Sequence, residues 1–128
     1  MYSVLDDIKK LLPDVLLLQL TDDENTGVIN TSRVSEAIAQ ADAEIDLSCG
    51  MIYQVPFVIV PPIIKKHSVD IAIYNLYSRR VEEIPQTRDD RYRNAKKELG
   101  DIASGSLSLS AVSGASDVST EVLETSHF

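Results

Sequence analysis

Apolar residues recur every three or four positions over most of the first hundred residues, the spacing of one helical face. Val4, Leu5, Ile8, Leu11 and Leu12 predict a first helix with these side chains inward, ending near Pro13. Ser3 followed by Asp6 reads as a weak capping box at its start. A short helix over Asp14–Leu20 follows, since its VLLLQL run has no evident strand partner. Val34, Ile38, Ala41, Ile45, Cys49 and Ile52 define the longest helix, about 32–52, with Thr31 or Ser32 as its cap. Glu36, Asp42, Glu44 and Asp46 fall largely off that face and read as solvated.

Between Tyr53 and Pro62 three prolines forbid a regular helix, and Pro61-Pro62 then opens one over about 62–79. That helix is apolar on three sides. Val69, Ala72, Ile73 and Leu76 occupy one, Ile64 and Ile71 a second, and Ile63, Tyr74 and Tyr77 a third. Such a helix is expected to be central, or to be covered by a second subunit. After Pro85, Thr87 with Asp90 suggests a capping box for a last helix over about 88–103, with the narrow stripe Tyr92, Ala95, Leu99 and Ile102. The pattern predicts an all-α domain over residues 1–103, a small bundle of four to five helices with a proline-rich connection.

From Ser104 the composition changes. Ten of the final 25 residues are Ser or Thr, and no Lys or Arg follows Lys97. Residues 104–128 are therefore expected to be disordered in a free subunit, because they bury too little to offset about 1–2 kcal/mol of ordering per residue. Leu107, Leu109, Val112, Val118, Val122 and Leu123 make the segment more apolar than a linker.

The formal charge of −8 disfavours phosphate binding and favours solubility. Arg79, Arg80, Arg88, Arg91, Arg93, Lys96 and Lys97 are the only basic concentration, and acids interleave with them. No apolar run is long enough for a membrane span and no leader pattern opens the chain, so a soluble, unexported protein is expected. Cys49 reads as a buried small hydrophobe.

The loop from Asp22 imitates a calcium-binding EF-hand, with Asp22, Glu24, Thr26 and Asn30 as would-be ligands and Gly27 at the sharp turn. Position 12 of that pattern is Arg33, where a bidentate carboxylate is required, so the loop is degenerate and no metal is expected. Asp70 lies within the apolar helix and needs a partner, for which Arg33, Arg79, Arg88, Arg91 and the nearby His67 are candidates. Gly-rich phosphate loops, Cys/His metal spacings and nucleophile elbows are absent from the sequence, so no cofactor and no enzymatic activity is expected. The apolar run Val55, Phe57, Val58, Ile59 and Val60, with Asp70, Tyr74 and Tyr77, makes up the candidate subunit interface.

An ordered set of segments carries a resemblance: MYSVLDDI, LLQLTDD, GVIN, AIAQADAEID, YQVPF, VPP, DIAIYNLY and LGDIASGSLSL, spanning residues 1–109. Together they resemble a small-protein family of Mu-like prophages, long filed as a domain of unknown function and grouped with head-completion or head–tail connector proteins. The resemblance implies an all-α subunit of a ring between head and tail, without catalytic residues. It implies neighbouring copies and other phage head and tail proteins as partners, with DNA passing through unbound. It places the protein in the host cytoplasm during assembly and then in the virion. A small prophage regulatory or nucleic-acid-binding helical protein is the rival expectation, and a degenerate calcium-responsive module a third.

Overall fold

The computed structural model describes residues 1–109. Among them the chain is all-helical, with five helices: α1 Leu5–Lys9, α2 Asp14–Thr21, α3 Thr31–Cys49, α4 Pro62–Ser78 and α5 Gln86–Ala103. α3, α4 and α5 form the body of the bundle, and α1 and α2 pack across α3 and α4.

α4 is the central helix. Ile64, Val69, Ile71, Ala72, Ile73, Leu76 and Tyr77 are all buried on it. Its apolar sides are taken up by α3, α5, α1 and α2 of the same copy. Of the two expectations for this helix, the central place is the one it takes, covered chiefly by α3 and α5 with α1 and α2 packed across it. α3 contributes Val34, Ala37, Ile38, Ala41, Ile45 and Cys49, and α5 contributes Ala95, Leu99 and Ile102.

The helix starts differ from those read in the sequence. Asp7 Oδ2 accepts from the Val4 backbone N–H at 2.9 Å, so the first cap sits at Val4 and leaves that side chain exposed. Ser3, freed from capping, is buried against Ser68. α1 is only one turn long, so Leu11 faces outward while Ile8 and Leu12 point into the core. Asn30, not Thr31 or Ser32, caps α3 by accepting from the Arg33 N–H at 3.1 Å. Pro85 sits at the N-cap of α5, so Thr87 and Asp90 lie inside the helix and form no box.

Beyond α5 the chain remains packed as far as Leu109. Gly105 turns it at φ +83, a left-handed value that suits glycine. Leu109 is fully buried, and its N–H donates to the Tyr53 hydroxyl at 3.0 Å. The disorder expected from residue 104 thus does not begin there; residues 110–128 lie outside the described part.

Candidate assembly surface

α3 joins two loops of opposite character. The loop at its N-terminus is a closed polar knot. The Asp22 carboxylate accepts from the Thr26 N–H at 2.7 Å, the Thr26 hydroxyl at 2.9 Å and the Gly27 N–H at 2.7 Å. These donors, the Thr26 and Gly27 N–H groups first, hold the Asp22 carboxyl below its ordinary range. Gly27 takes φ +83, as its place at the sharp turn suggested.

Arg33 forks onto Glu24 at 2.7 and 2.8 Å, and this pairing depresses the Glu24 pKa. Asp23 is gripped by Arg79 at 2.6 Å and Arg80 at 3.0 Å, with Arg33 at 3.6 Å. The Arg79 hydrogen bond is the main reason its pKa is lowered. The Asp22 and Glu24 carboxylates are thus engaged by protein donors, the Thr26 hydroxyl gives its proton to Asp22, and Asn30 serves as a cap. Among the described residues no group of three His, Cys, Asp or Glu side chains could hold a metal.

The loop at the other end of α3 is anchored by aromatic rings. Phe57 is buried, with its ring centroid 5.6 Å from Tyr2 and 6.4 Å from Tyr53. The Phe57 N–H donates to the Tyr2 hydroxyl at 3.0 Å, and Tyr2 in turn donates to Asp46. Burial first, then the Asp46 hydrogen bond, raises the Tyr2 pKa, so the phenol keeps its proton. A Cβ on Gly50 would come 3.2 Å from the Val55 side chain, so a residue without one lets the loop fold back closely.

With Phe57 fixed inward, the next two side chains project. Val58 is 90% exposed and Ile59 56%. Leu47 and Met51, from the end of α3 and the turn after it, are also exposed. Val55 and Val60 are half-buried. The apolar run proposed as an interface is therefore split: Phe57 is core and Val58–Ile59 is surface.

Of the other interface candidates, Asp70 and Tyr77 face inward and Tyr74 is half-buried. Tyr77 is buried, and Tyr74 stacks on Tyr92 of α5 with centroids 3.8 Å apart. Asp70 is almost wholly buried and pairs with Lys66 at 3.0 Å, one turn earlier on its own helix. None of the four arginines considered for it takes that place, since Arg33 and Arg79 are drawn to the first loop and Arg88 donates to the Leu11 carbonyl. His67 is fully buried, with Nε2 3.0 Å from Glu98 Oε1 but off the hydrogen-bonding axis, so neither atom is satisfied. Burial, more than the neighbouring Lys66 charge, lowers its pKa to about 4.

Asp42, Glu44 and Asp46 do not form a solvated face. Asp42 accepts from the Tyr2 N–H and the Ser68 hydroxyl at 2.8 Å each. Because the Ser68 proton goes to Asp42, Ser3 is the donor in the 2.6 Å Ser3–Ser68 contact. Burial nevertheless holds the Asp42 carboxyl above its ordinary range. Glu44 faces α5, where Tyr92 and Lys96 donate to it at 3.3 and 3.1 Å. Tyr2 was the residue sequence reasoning missed, since a terminal aromatic in a capping region shows no periodicity to place it.

Cys49 is fully buried and its thiol is pushed up to about 12, mainly by that burial, which keeps it protonated and inert. Among the described residues no helix is long and apolar enough to cross a membrane. The basic concentration is largely neutralised in place by Arg93–Asp89 at 2.8 Å, Lys96–Glu44 and Lys97–Asp101.

None of the curated proteins matches the chain. The model of the family described as Bacteriophage Mu, Gp36 matches residues 2–126, which carries the likeness past Leu109 into the segment where the resemblance read from the sequence stopped. The chain, matched over nearly its whole length and all-helical over its described residues, belongs to that family of Mu-like phage proteins.

Proposed function

We propose that this phage protein is a non-enzymatic head–tail connector subunit, which forms a ring with copies of itself between the head and tail proteins. The observation that supports it most is the Val58–Ile59 projection, an exposed apolar pair held in a fixed place by the buried Phe57 between Tyr2 and Tyr53. Exposing two branched apolar side chains at one tip costs solubility unless another surface covers them. A ring requires one patch to meet a different patch on the next copy. A suitable receiver is the groove of about 380 Å³ formed by Val15, Leu18, Val28 and Ile29, with Asp14 and Gly27 at its edge. The net charge of −8 suits a lumen through which DNA slides without sticking. Assembly takes place in the host cytoplasm, and the ring ends in the virion. The pairing of most α5 cations with carboxylates weighs against the rival nucleic-acid-binding reading.

The test is the double variant Val58→Asp/Ile59→Asp, compared with wild type by sedimentation, alone and with phage heads purified from a strain lacking this gene. The wild-type chain is expected to self-associate or to bind heads, and the variant to melt normally while losing both. Wild type that does neither, or a variant that assembles as well as wild type, overturns the reading.

A further inference from the structure

Of the 12 lysines and arginines in the chain, all but two lie within 4.0 Å of a carboxylate of the same copy. The exceptions among the described residues are Arg88 and Arg91, three apart on one side of α5. The acids between them are already engaged. Asp89 accepts from Arg93 and Asp90 from Gln86, each at 2.8 Å. Both arginines are half-buried. The buried unpartnered side-chain atoms of the described residues belong to His67 and Glu98, so the Arg91 nitrogens reach solvent. Arg88 spends one nitrogen, Nη2, on the Leu11 carbonyl at 2.8 Å, which orients its guanidinium and leaves the other N–H groups free. Guanidiniums held in this way lose little further freedom on pairing, and each can fork onto a carboxylate.

The chain that carries this pair has a formal charge of −8, so copies brought together repel one another. A neighbour's carboxylate that loses water on contact must find a donor. Any of the committed cations would leave its own acid unpaired in exchange. Arg88 and Arg91 alone can serve a neighbour without that loss. The complementary charges stand elsewhere on the same molecule. Asp6, Glu36, Glu82 and Glu83 are exposed, and among the described residues no Lys or Arg lies within 4.0 Å of them. A cationic patch and separate acidic ones on each copy suit a contact between unlike surfaces. Nucleic acid is the poorer occupant, because the field of an acidic chain repels a polyanion before two arginines can engage it.

We infer that Arg88 and Arg91 pair with exposed carboxylates of the next copy and form the ionic part of the contact between subunits. This rests on the ring reading above and adds to it a surface separate from the Val58–Ile59 projection.

The test compares the full wild-type chain with Arg88→Gln/Arg91→Gln by sedimentation over a concentration series, at about 0.05 M and about 0.5 M salt. Arg93→Gln/Lys97→Gln removes the same charge from α5 and is the control. At low salt the Arg88/Arg91 variant is expected to self-associate about tenfold more weakly than wild type, and the control to stay within about twofold. The gap should narrow as salt rises. Melting curves check that each chain is folded. Arg91→Gln alone, which breaks no hydrogen bond of the fold, repeats the comparison if losing the Leu11 contact unfolds the double variant. Association equal to wild type overturns the inference, and so does an equal loss in the control, which would make the effect one of net charge. DNA retained by wild type and released by the variant also overturns it, by making phosphate the occupant. Wild type that binds phage heads yet stays monomeric in solution overturns the inference and leaves the connector reading standing; wild type that does neither removes both.

Discussion

The two loops that α3 separates, about 28 Å apart by helical rise, show two ways of ending a helix. The Asp22–Asn30 loop turns its polar groups on one another and on three arginines, and leaves little chemistry unspent. The Tyr53–Pro61 loop has no charged side chain, so it is fixed by aromatic packing and one shared tyrosine hydroxyl, and its leftover apolar residues face water. A loop whose polar groups satisfy one another has none left for an ion. A loop held rigid with unsatisfied apolar surface is a good binding site.

The largest effect should come from the anchor of the second loop. Phe57→Ala is expected to cost about 3–5 kcal/mol in urea unfolding, as for other buried phenylalanines. A loss below about 1 kcal/mol would mean the aromatic cluster does not hold the loop, and the contrast would fail.

Both loops share a background that has to be subtracted, set by His67 with Lys66, Asp70 and Glu98 around it. Its pKa falls from 6.5 to about 4 on folding, so the unfolded chain binds more protons in between. Stability should therefore drop as pH falls from about 6.5 to about 4, by roughly 3 kcal/mol, and level off below. His67→Met should flatten that slope in a series of urea titrations, and an unchanged slope would assign it elsewhere.

Tyr2→Phe keeps the ring but removes the hydroxyl that serves Phe57 and Asp46. The expected loss is about 1–3 kcal/mol, the cost of leaving buried polar groups unpaired, with amide exchange at Phe57 accelerated. Unaltered exchange there would show that the hydroxyl does not tie the loop down.

The smallest effect belongs to the first loop. The Asp22 carboxyl is depressed below 3.8, so its contribution is complete above that value and is lost as pH falls through the lower folded pKa. The melting-temperature gap between wild type and Asp22→Asn should therefore be present at about pH 7 and close in strong acid, both outside the His67 window. Millimolar calcium should shift neither melting curve. A calcium shift abolished by Asp22→Asn would break the contrast by making the first loop a ligand site.

Local signals and global ones were legible to different degrees. The periods of α3 and α5, the turn at Gly27 and the defect at Arg33 were readable because each depends on spacing within one segment. The caps moved to Val4, Asn30 and Pro85, since several neighbouring residues can cap and packing selects among them. Of the candidate interface, Val58 and Ile59 remain outside, Tyr74 is half-buried against Tyr92, and Phe57, Asp70 and Tyr77 turned inward.

By itself, the order of apolar and polar residues determined that this chain is helical, where its helices lie and that the EF-hand pattern is broken, because backbone geometry repeats every 3.6 residues whatever surrounds it. Only the tertiary structure decided that α1 and α2 shield α4, that Tyr2 clasps a loop fifty-five residues away and that Val58 and Ile59 are left to solvent. Those outcomes depend on which distant side chains meet first-rank partners and which find none, and no local period encodes that.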